Sequence, residues 1–467
     1  MKSLFNDITS SVVYPRLLLQ LNDVIMDMAR TGFCLDTATL AQKAELCRAD
    51  VARCRAQLEE QRELAGAGPI NWNSTVQLNA FLHGTLGLPP AQFCAKGRVR
   101  RGKVALDSTA LEWLESHYPH PALEALRNYR RLTKLLTYLD GLPAYVAPED
   151  GRIHTTIGCS DEDGKVLGTR TGRWNSRNPN LQNIPARKDK DTYRLREAFV
   201  APPGRRLVVA DWSALEMVIL GHCISYLFGD DSLLARTAPG APDIHSETAR
   251  YVYGQFLGDK AIAEATNDEI KKKYKVKRDA IKIVRYKFNY CGSVKSFGET
   301  ITNDEGEPIG EKLAQRLADG LLAFDPGIKR YQDFVWEQVA REQYITSLYG
   351  RWTRYPDATP EKKYALARAW RQACNYPMQA GGQEIAAAAM LTLAGRNKKS
   401  PGLESVDPTA RLVLAVHDEL IVECSEERVA EVSALVEHAM TTNWLPFRGI
   451  LQAEAHSGQT WEEAKGT

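Results

Sequence analysis

Chemistry can be argued first from two aspartates, Asp211 and Asp418. Asp211 ends the apolar run Leu207-Val208-Val209-Ala210, and a helical pattern at Leu215, Val218, Ile219 and His222 follows it. The pattern predicts a buried strand that delivers one carboxylate at its end. Two readings fit that position: a metal ligand, or a cap on the following helix. Asp418 has a similar setting. Arg411 to Val416 and Leu420 to Cys424 flank His417-Asp418-Glu419, which predicts a hairpin with Asp418 at its tip. Two strand-borne aspartates can converge on a pair of Mg²⁺ ions, which take their remaining ligands from waters and substrate phosphates. Such a clamp catalyses in-line displacement at phosphorus.

The cations and amides have spacings of their own. Arg278, Lys282, Tyr286 and Tyr290 recur every four residues in the helical pattern Lys277 to Tyr290, so they share one slowly drifting face. Two cations followed by two phenols suit a nucleoside triphosphate; a basic amphipathic helix with a tyrosine edge in the core is the plainer alternative. Arg371, Asn375 and Gln379 form a second row, with Pro377 predicting a kink. Thr171 to Pro185 is too polar and proline-punctuated for a core element, and it crowds Arg, Asn and Gln, which bond phosphates and base edges. Cys94 to Lys103 carries Lys96, Arg98, Arg100, Arg101 and Lys103 with no acid, either a solvated loop or a mobile grip on phosphates. Arg127, Arg130, Arg131 and Lys134 extend that positive surface along a helix.

The elements that must hold these residues are mostly helical. Leu17, Leu18, Leu21, Val24, Ile25 and Met28 form a stripe that stops at Thr31-Gly32. Leu40 to Leu64 is rich in good helix formers, Asn73-Ser74-Thr75 can cap a short helix from Val76 to Leu82, and Val429 to Met440 is amphipathic. With 467 residues, 44% hydrophobic and 25% charged, the chain has room for two or three subdomains. A net charge of +2 means that affinity for nucleic acid must come from local clusters. Nine scattered cysteines without a C-x-x-C pair predict free thiols in a reducing compartment. Neither a signal pattern nor an apolar run of membrane length is present, so the expected location is cytoplasmic, with no membrane partner.

Taken together, the motifs resemble the bacterial DNA polymerase I family, also called family A. The family's D-Y-S-x-x-E stands here as Asp211-Trp212-Ser213-Ala214-Leu215-Glu216. Its fingers helix R-x-x-x-K-x-x-x-[FY]-x-x-x-Y is matched by Arg278, Lys282, Tyr286 and Tyr290, and its V-H-D-E by Val416-His417-Asp418-Glu419. The loop Thr171-Gly172-Arg173 to Pro185 and the Arg371, Asn375, Gln379 row are further signatures, and coverage runs from about Leu17 to Ala464.

The resemblance implies a predominantly helical α+β fold, a right hand with an antiparallel palm sheet, helical fingers and a helical thumb. Residues 1–35 would be an N-terminal helical segment, 36–150 the thumb, 151–224 and 371–467 the palm, and 225–370 the fingers. It implies template-directed addition of dNTPs to a primer 3′-hydroxyl. Two Mg²⁺ ions, for which Mn²⁺ can substitute, would be held by Asp211, Asp418 and the Trp212 carbonyl. Glu419 and Lys282 would assist catalysis. Arg278, Lys282, Tyr286, Tyr290, Glu216, His245 and Arg187 would bind the nucleotide. Arg173, Gln182, Arg371, Asn375, Gln379 and His417, with the basic loop, would contact primer–template DNA, several of them in the minor groove, where all base pairs present similar acceptors. A separate exonuclease or processivity factor is a further possible partner.

Trp212, Ala214, Val218 and Cys291 depart from the family's usual Tyr, polar residue, Arg and Gly. None is a metal ligand side chain or phosphate cation, so they bear on fine substrate selection. The pattern starts within the first ~30 residues, too few for a folded domain; the expectation is a chain without 3′–5′ proofreading. Two other classes share some of these features. A single-subunit RNA polymerase has a two-aspartate palm, but Glu216 would clash with a ribose 2′-hydroxyl. A silent DNA-binding scaffold has no use for Asp211, Asp418, Arg278 and Lys282 together.

Overall fold

The computed structural model describes residues 10–94, 97–99, 104–158, 169–186, 191–289, 291–303, 308–397, 400–442 and 446–466. Its centre is a four-stranded antiparallel sheet built from β1 (Arg205–Trp212), β2 (Arg411–Val416), β3 (Glu419–Ser425) and β4 (Ala453–Gly458), in the order β2-β3-β1-β4. Side chains alternate between its faces, and both faces are apolar. Val208, Ala210, Leu420 and Val422 enter one core; Leu207, Val209, Val413 and Ile421 enter another. This explains why β1, β2 and β3 read as near-continuous apolar runs, unlike the edge strand β4. Ile421 is fully buried; truncating such a residue to alanine costs about 2–5 kcal/mol.

Helices cover both faces. The first core joins Leu215–Phe228, Pro326–Glu342 and the 31-residue helix Lys363–Leu393. That helix runs on through Pro377. The second core joins Thr37–Leu64 and Pro121–Gly141, whose mutual packing buries Leu40, Cys47, Leu58, Leu126 and Leu132. Of residues 73–75 it is Ser74 that caps, accepting from the Gln77 N–H, and Asp36, which the sequence pattern did not single out, caps Thr37–Leu64 by accepting from Ala38 and Thr39. A third, smaller core forms around Ile281, Val284, Phe297 and Leu317, under the helix Lys275–Asn289.

Two expectations change. Thr171 to Pro185 is no plain surface loop: Asn175–Arg177 pairs as a strand with Thr156–Gly158, and Trp174, Leu181 and Ile184 are buried. The local polarity hid three anchors spaced irregularly. Arg127, Arg130 and Arg131 do not form a free positive stripe, since each is engaged within the protein, by Glu115, the Leu106 carbonyl and Thr192 respectively. The eight described cysteines are free thiols, and no described helix is long and apolar enough to cross a membrane.

Candidate active site

The sheet brings the two aspartates together through its backbone. Asp211 lies in register with Glu419 on β3 and Glu454 on β4. Just past it, the Trp212 N–H donates to the Asp418 carbonyl at 3.1 Å, tying the β1 end to the hairpin tip. The Trp212 indole N–H donates to the Met440 carbonyl at 2.7 Å, which pins this corner from behind. His417 makes the turn with φ 57 and stays exposed. The helix after β1 starts from Ala214, φ 53, with no side-chain cap. Asp211 is therefore not a helix cap.

Burial raises the Asp211 carboxyl to about 6; the Asp418 and Glu419 charges add to that, and Lys465 opposes it. The Glu419 carboxylate is buried, accepting from the Trp461 indole N–H at 2.7 Å and from Lys465, with Arg196 Nη1 3.6 Å away. Each of its oxygens is engaged within the protein, one by Trp461 and one by Lys465. Asp211, with a side chain 49% exposed, and the half-buried Asp418 retain access. Hard carboxylate oxygens that repel one another at an accessible strand end are a fitting donor set for Mg²⁺.

The helix Lys275–Asn289 displays Arg278, Lys282 and Tyr286 on one side and buries Ala280, Ile281, Val284 and Arg285 on the other. Lys282 is exposed. Arg278 grips Asp243 with two bonds, 2.9 and 3.0 Å, so the phosphate cation of the sequence pattern is held by a carboxylate here. The half-buried Tyr286 phenol is pushed up by burial and by the charges of Glu216 and Asp418, which puts it beside the sheet end. Its ring lies 5.8 Å from His245. Burial, then Arg285, depresses His245 to about 4, so at neutral pH it offers a neutral ring and no charge. Asn289 donates to the Met217 sulfur at 3.1 Å, docking the helix end beside Glu216.

Glu216 accepts from Arg173 at 3.3 Å, and burial raises its carboxyl. Gly172, at φ 80, holds a backbone conformation that favours glycine, and the Arg351 guanidinium occupies the space beside it. The Gln182 amide donates to the Ala415 carbonyl at 3.1 Å, on the strand leading to Asp418. Asn375 and Gln379 are half-buried on the Lys363–Leu393 helix, with Arg371 exposed one turn earlier. Lys96, Arg100, Arg101, Arg187 and Tyr290 lie outside the described residues, and of Arg98 only the backbone is described, in a short strand paired with Phe93–Cys94.

The sequence pattern missed Lys465, Arg196, Asp243 and the buried network in which Asp325 meets Arg285 at 2.6 Å and also Arg236. Arg285, one residue before Tyr286, is fully buried; a cation at an apolar spacing among Ile281 and Val284 was the available signal. Lys465 carried none, being a lone lysine in a non-periodic stretch.

Residues 39–463 match the family model described as DNA polymerase family A. The chain is 34% identical over 97% of its length to DNA polymerase I of Chloroflexus aurantiacus, and 32% identical over 95% to the thermostable DNA polymerase I of Thermus aquaticus. It spans about half the length of these relatives, 43% and 48% respectively. Among solved structures it resembles the POL domain of Pol1 from M. smegmatis, in complex with DNA primer-template and dNTP. There the TM-score is 0.78 and the identity 27%, over 96% of this chain and 70% of that one.

Proposed function

This chain belongs to DNA polymerase family A and has its predominantly helical right-hand fold, and from that premise we propose that it is a template-directed DNA polymerase. It extends a primer 3′-hydroxyl with dNTPs on a DNA template. The carrying observation is the Trp212–Asp418 backbone bond, which sets Asp211 and Asp418 side by side with Glu216 and Tyr286 near them. We assign residues 36–150 to the thumb, 151–224 and 371–467 to the palm and 225–370 to the fingers, with 1–35 an N-terminal helical segment.

Asp211, Asp418 and the Trp212 carbonyl would hold two Mg²⁺ ions, which would acidify the primer hydroxyl and neutralise charge on departing pyrophosphate. Arg278, released from Asp243, and the exposed Lys282 bind the triphosphate. Glu216, held by Arg173, blocks a ribose 2′-hydroxyl. Tyr286 lies against the sugar, and His245 supports that ring as a neutral neighbour. Gln182, Asn375, Gln379, Arg371 and His417 contact primer–template DNA.

Primer extension on a DNA template, with dNTPs against NTPs, tests this reading. Extension with dNTPs alone supports it. Extension with NTPs would make the chain an RNA polymerase, and binding without extension a scaffold. Glu216→Ala raises the share of ribonucleotides; an unchanged ratio removes Glu216 from its role. A polypeptide of this sequence leaves a labelled mispaired primer intact when incubated with Mg²⁺ and no nucleotide, since residues 39–463 are taken up by the polymerase match.

A further inference from the structure

Lys465 ends a 3₁₀ turn, Glu463–Lys465, that is locked onto the edge of the sheet. The Glu463 carboxylate accepts from the Gln459 and Thr460 N–H groups at 2.9 and 3.4 Å, and the Glu463 N–H donates to the Thr460 hydroxyl at 3.1 Å. The turn is close-packed against β4. A Cβ on Gly458 would lie 2.6 Å from the Ala464 nitrogen, and one on Gly466, at φ 67, would lie 2.7 Å from His456 Cδ2. Two residues before the turn, Trp461 is fully buried, with ring centroids 5.5 Å from Phe199 and 5.7 Å from Phe33. The Arg196 guanidinium stacks 3.9 Å over the Trp461 ring. A lysine on such a base differs from a solvated surface lysine, and its side chain is only 27% exposed.

The ammonium points at the carboxylates. Lys465 Nζ is 3.3 Å from Asp211 Oδ2 and contacts Glu419 Oε2. Glu419 has partners besides it, Trp461 at 2.7 Å and Arg196 at 3.6 Å. Resting on the metal reading of Asp211, we propose that Lys465 is a positioning residue, a built-in counter-ion that occupies the Asp211 carboxylate and competes there with the divalent cation. Asp211 and Glu419 are register partners that share the Lys465 ammonium, and the Asp418 charge also acts on Asp211. Without a cation they would repel, and Asp211 would have reason to rotate away. The ammonium neutralises one of those charges and keeps Asp211 pointed inward. The same positive charge, fixed beside the donor oxygen, opposes the arrival of a divalent ion. The flexible four-carbon stem and the second anchor on Glu419 let Lys465 yield the Asp211 oxygen without leaving the site. The free protein thus binds metal more weakly than its carboxylates alone would.

The test is Mn²⁺ binding to the free protein, without DNA or nucleotide, followed by electron paramagnetic resonance of the unbound ion. Lys465→Met should bind Mn²⁺ roughly ten-fold more tightly than wild type, the order expected for losing one nearby positive charge in a partly exposed site. Lys465→Arg keeps the charge and should stay within about two-fold of wild type. If Lys465→Met fails to fold, Lys465→Gln, which keeps a polar group for Glu419, carries the same expectation. Unchanged or weaker binding in a folded neutral variant overturns the proposal, as does equal tightening in Lys465→Arg. Asp211→Ala separates the two layers. Wild-type affinity in Asp211→Ala refutes the metal reading itself, whereas lost affinity there with no gain in Lys465→Met refutes only the counter-ion.

Discussion

The aspartates at the sheet end and the cations along the Lys275–Asn289 helix are held by different physics. Asp211 and Asp418 are placed by backbone: the ladder between β1 and β3, and the Trp212 N–H on the Asp418 carbonyl. Their side chains can change without moving that frame. The helix row is placed by side chains. Its inner face rests on a small core of its own, the Phe288 carbonyl accepts from the Gln332 amide at 2.7 Å, and Arg285 reaches Asp325 at 2.6 Å and Thr248 at 2.5 Å. Substitutions at the sheet end should therefore remove chemistry while leaving the fold, and substitutions behind the helix should disturb geometry without touching a ligand.

The largest expected effect is at the sheet end. Asp211→Ala or Asp418→Ala should reduce single-turnover nucleotide incorporation to background while gel-shift affinity for primer–template stays near wild type. Near-normal turnover in either variant would break the sheet half of the comparison. Behind the helix, Arg285→Met leaves Asp325 buried with one cation fewer, and stability should drop by about 3–5 kcal/mol in urea unfolding. If Arg285→Met melts like wild type, the helix is held by its apolar core and the contrast loses its electrostatic part.

A subtler effect belongs to the outer face. If Tyr286 lies against the sugar as proposed, its hydroxyl can supply the polar contact that a dideoxynucleotide, lacking the 3′-hydroxyl, leaves unmade. Wild type should accept ddTTP nearly as well as dTTP, and Tyr286→Phe should discriminate against it. One neutral hydrogen bond is worth about 0.5–1.5 kcal/mol, and ordering of the reacting phosphate adds to that. Competition between ddTTP and dTTP measures it; equal termination by both proteins would make Tyr286 a packing residue.

The smallest effect concerns a carboxylate buried away from the sheet end. Glu384 is buried on the Lys363–Leu393 helix, accepting from the Ser347 hydroxyl at 2.5 Å and the Tyr349 N–H at 3.3 Å. Burial raises its carboxyl to about 7, well above the ordinary 4.5 of a glutamate. A folded-state pKa above the unfolded one means its contribution is full below about pH 4.5 and is lost as pH rises through about 7. The melting temperature of Glu384→Gln should therefore fall less between pH 5 and pH 8 than that of wild type. Equal slopes would mean that Glu384 keeps one protonation state across that range.

Cys291 illustrates how a departure from the motif reads in three dimensions. It has φ 53 and is buried, a conformation that favours the glycine usual in the family at this position. The thiol fills space in the first core, and the backbone bears the strain. Its unusual identity was visible in the sequence, but the conformation that makes glycine preferable was not.

What could be read along the chain is what short-range geometry controls. Apolar alternation and helical spacing located the strands before Asp211 and around Asp418. The same rules put Arg278, Lys282 and Tyr286 on one side of a helix, because residues four apart must share a face. Tertiary structure alone decided which charges meet. Strand register joined Asp211 to Glu419, and the hairpin bond brought Asp418 beside them. Docking of a C-terminal turn set Lys465 against both carboxylates. Helix packing parked Arg278 on Asp243 and buried Arg285 with Asp325. These pairings join residues distant in the chain, and their energies depend on burial and partner geometry that no local pattern encodes.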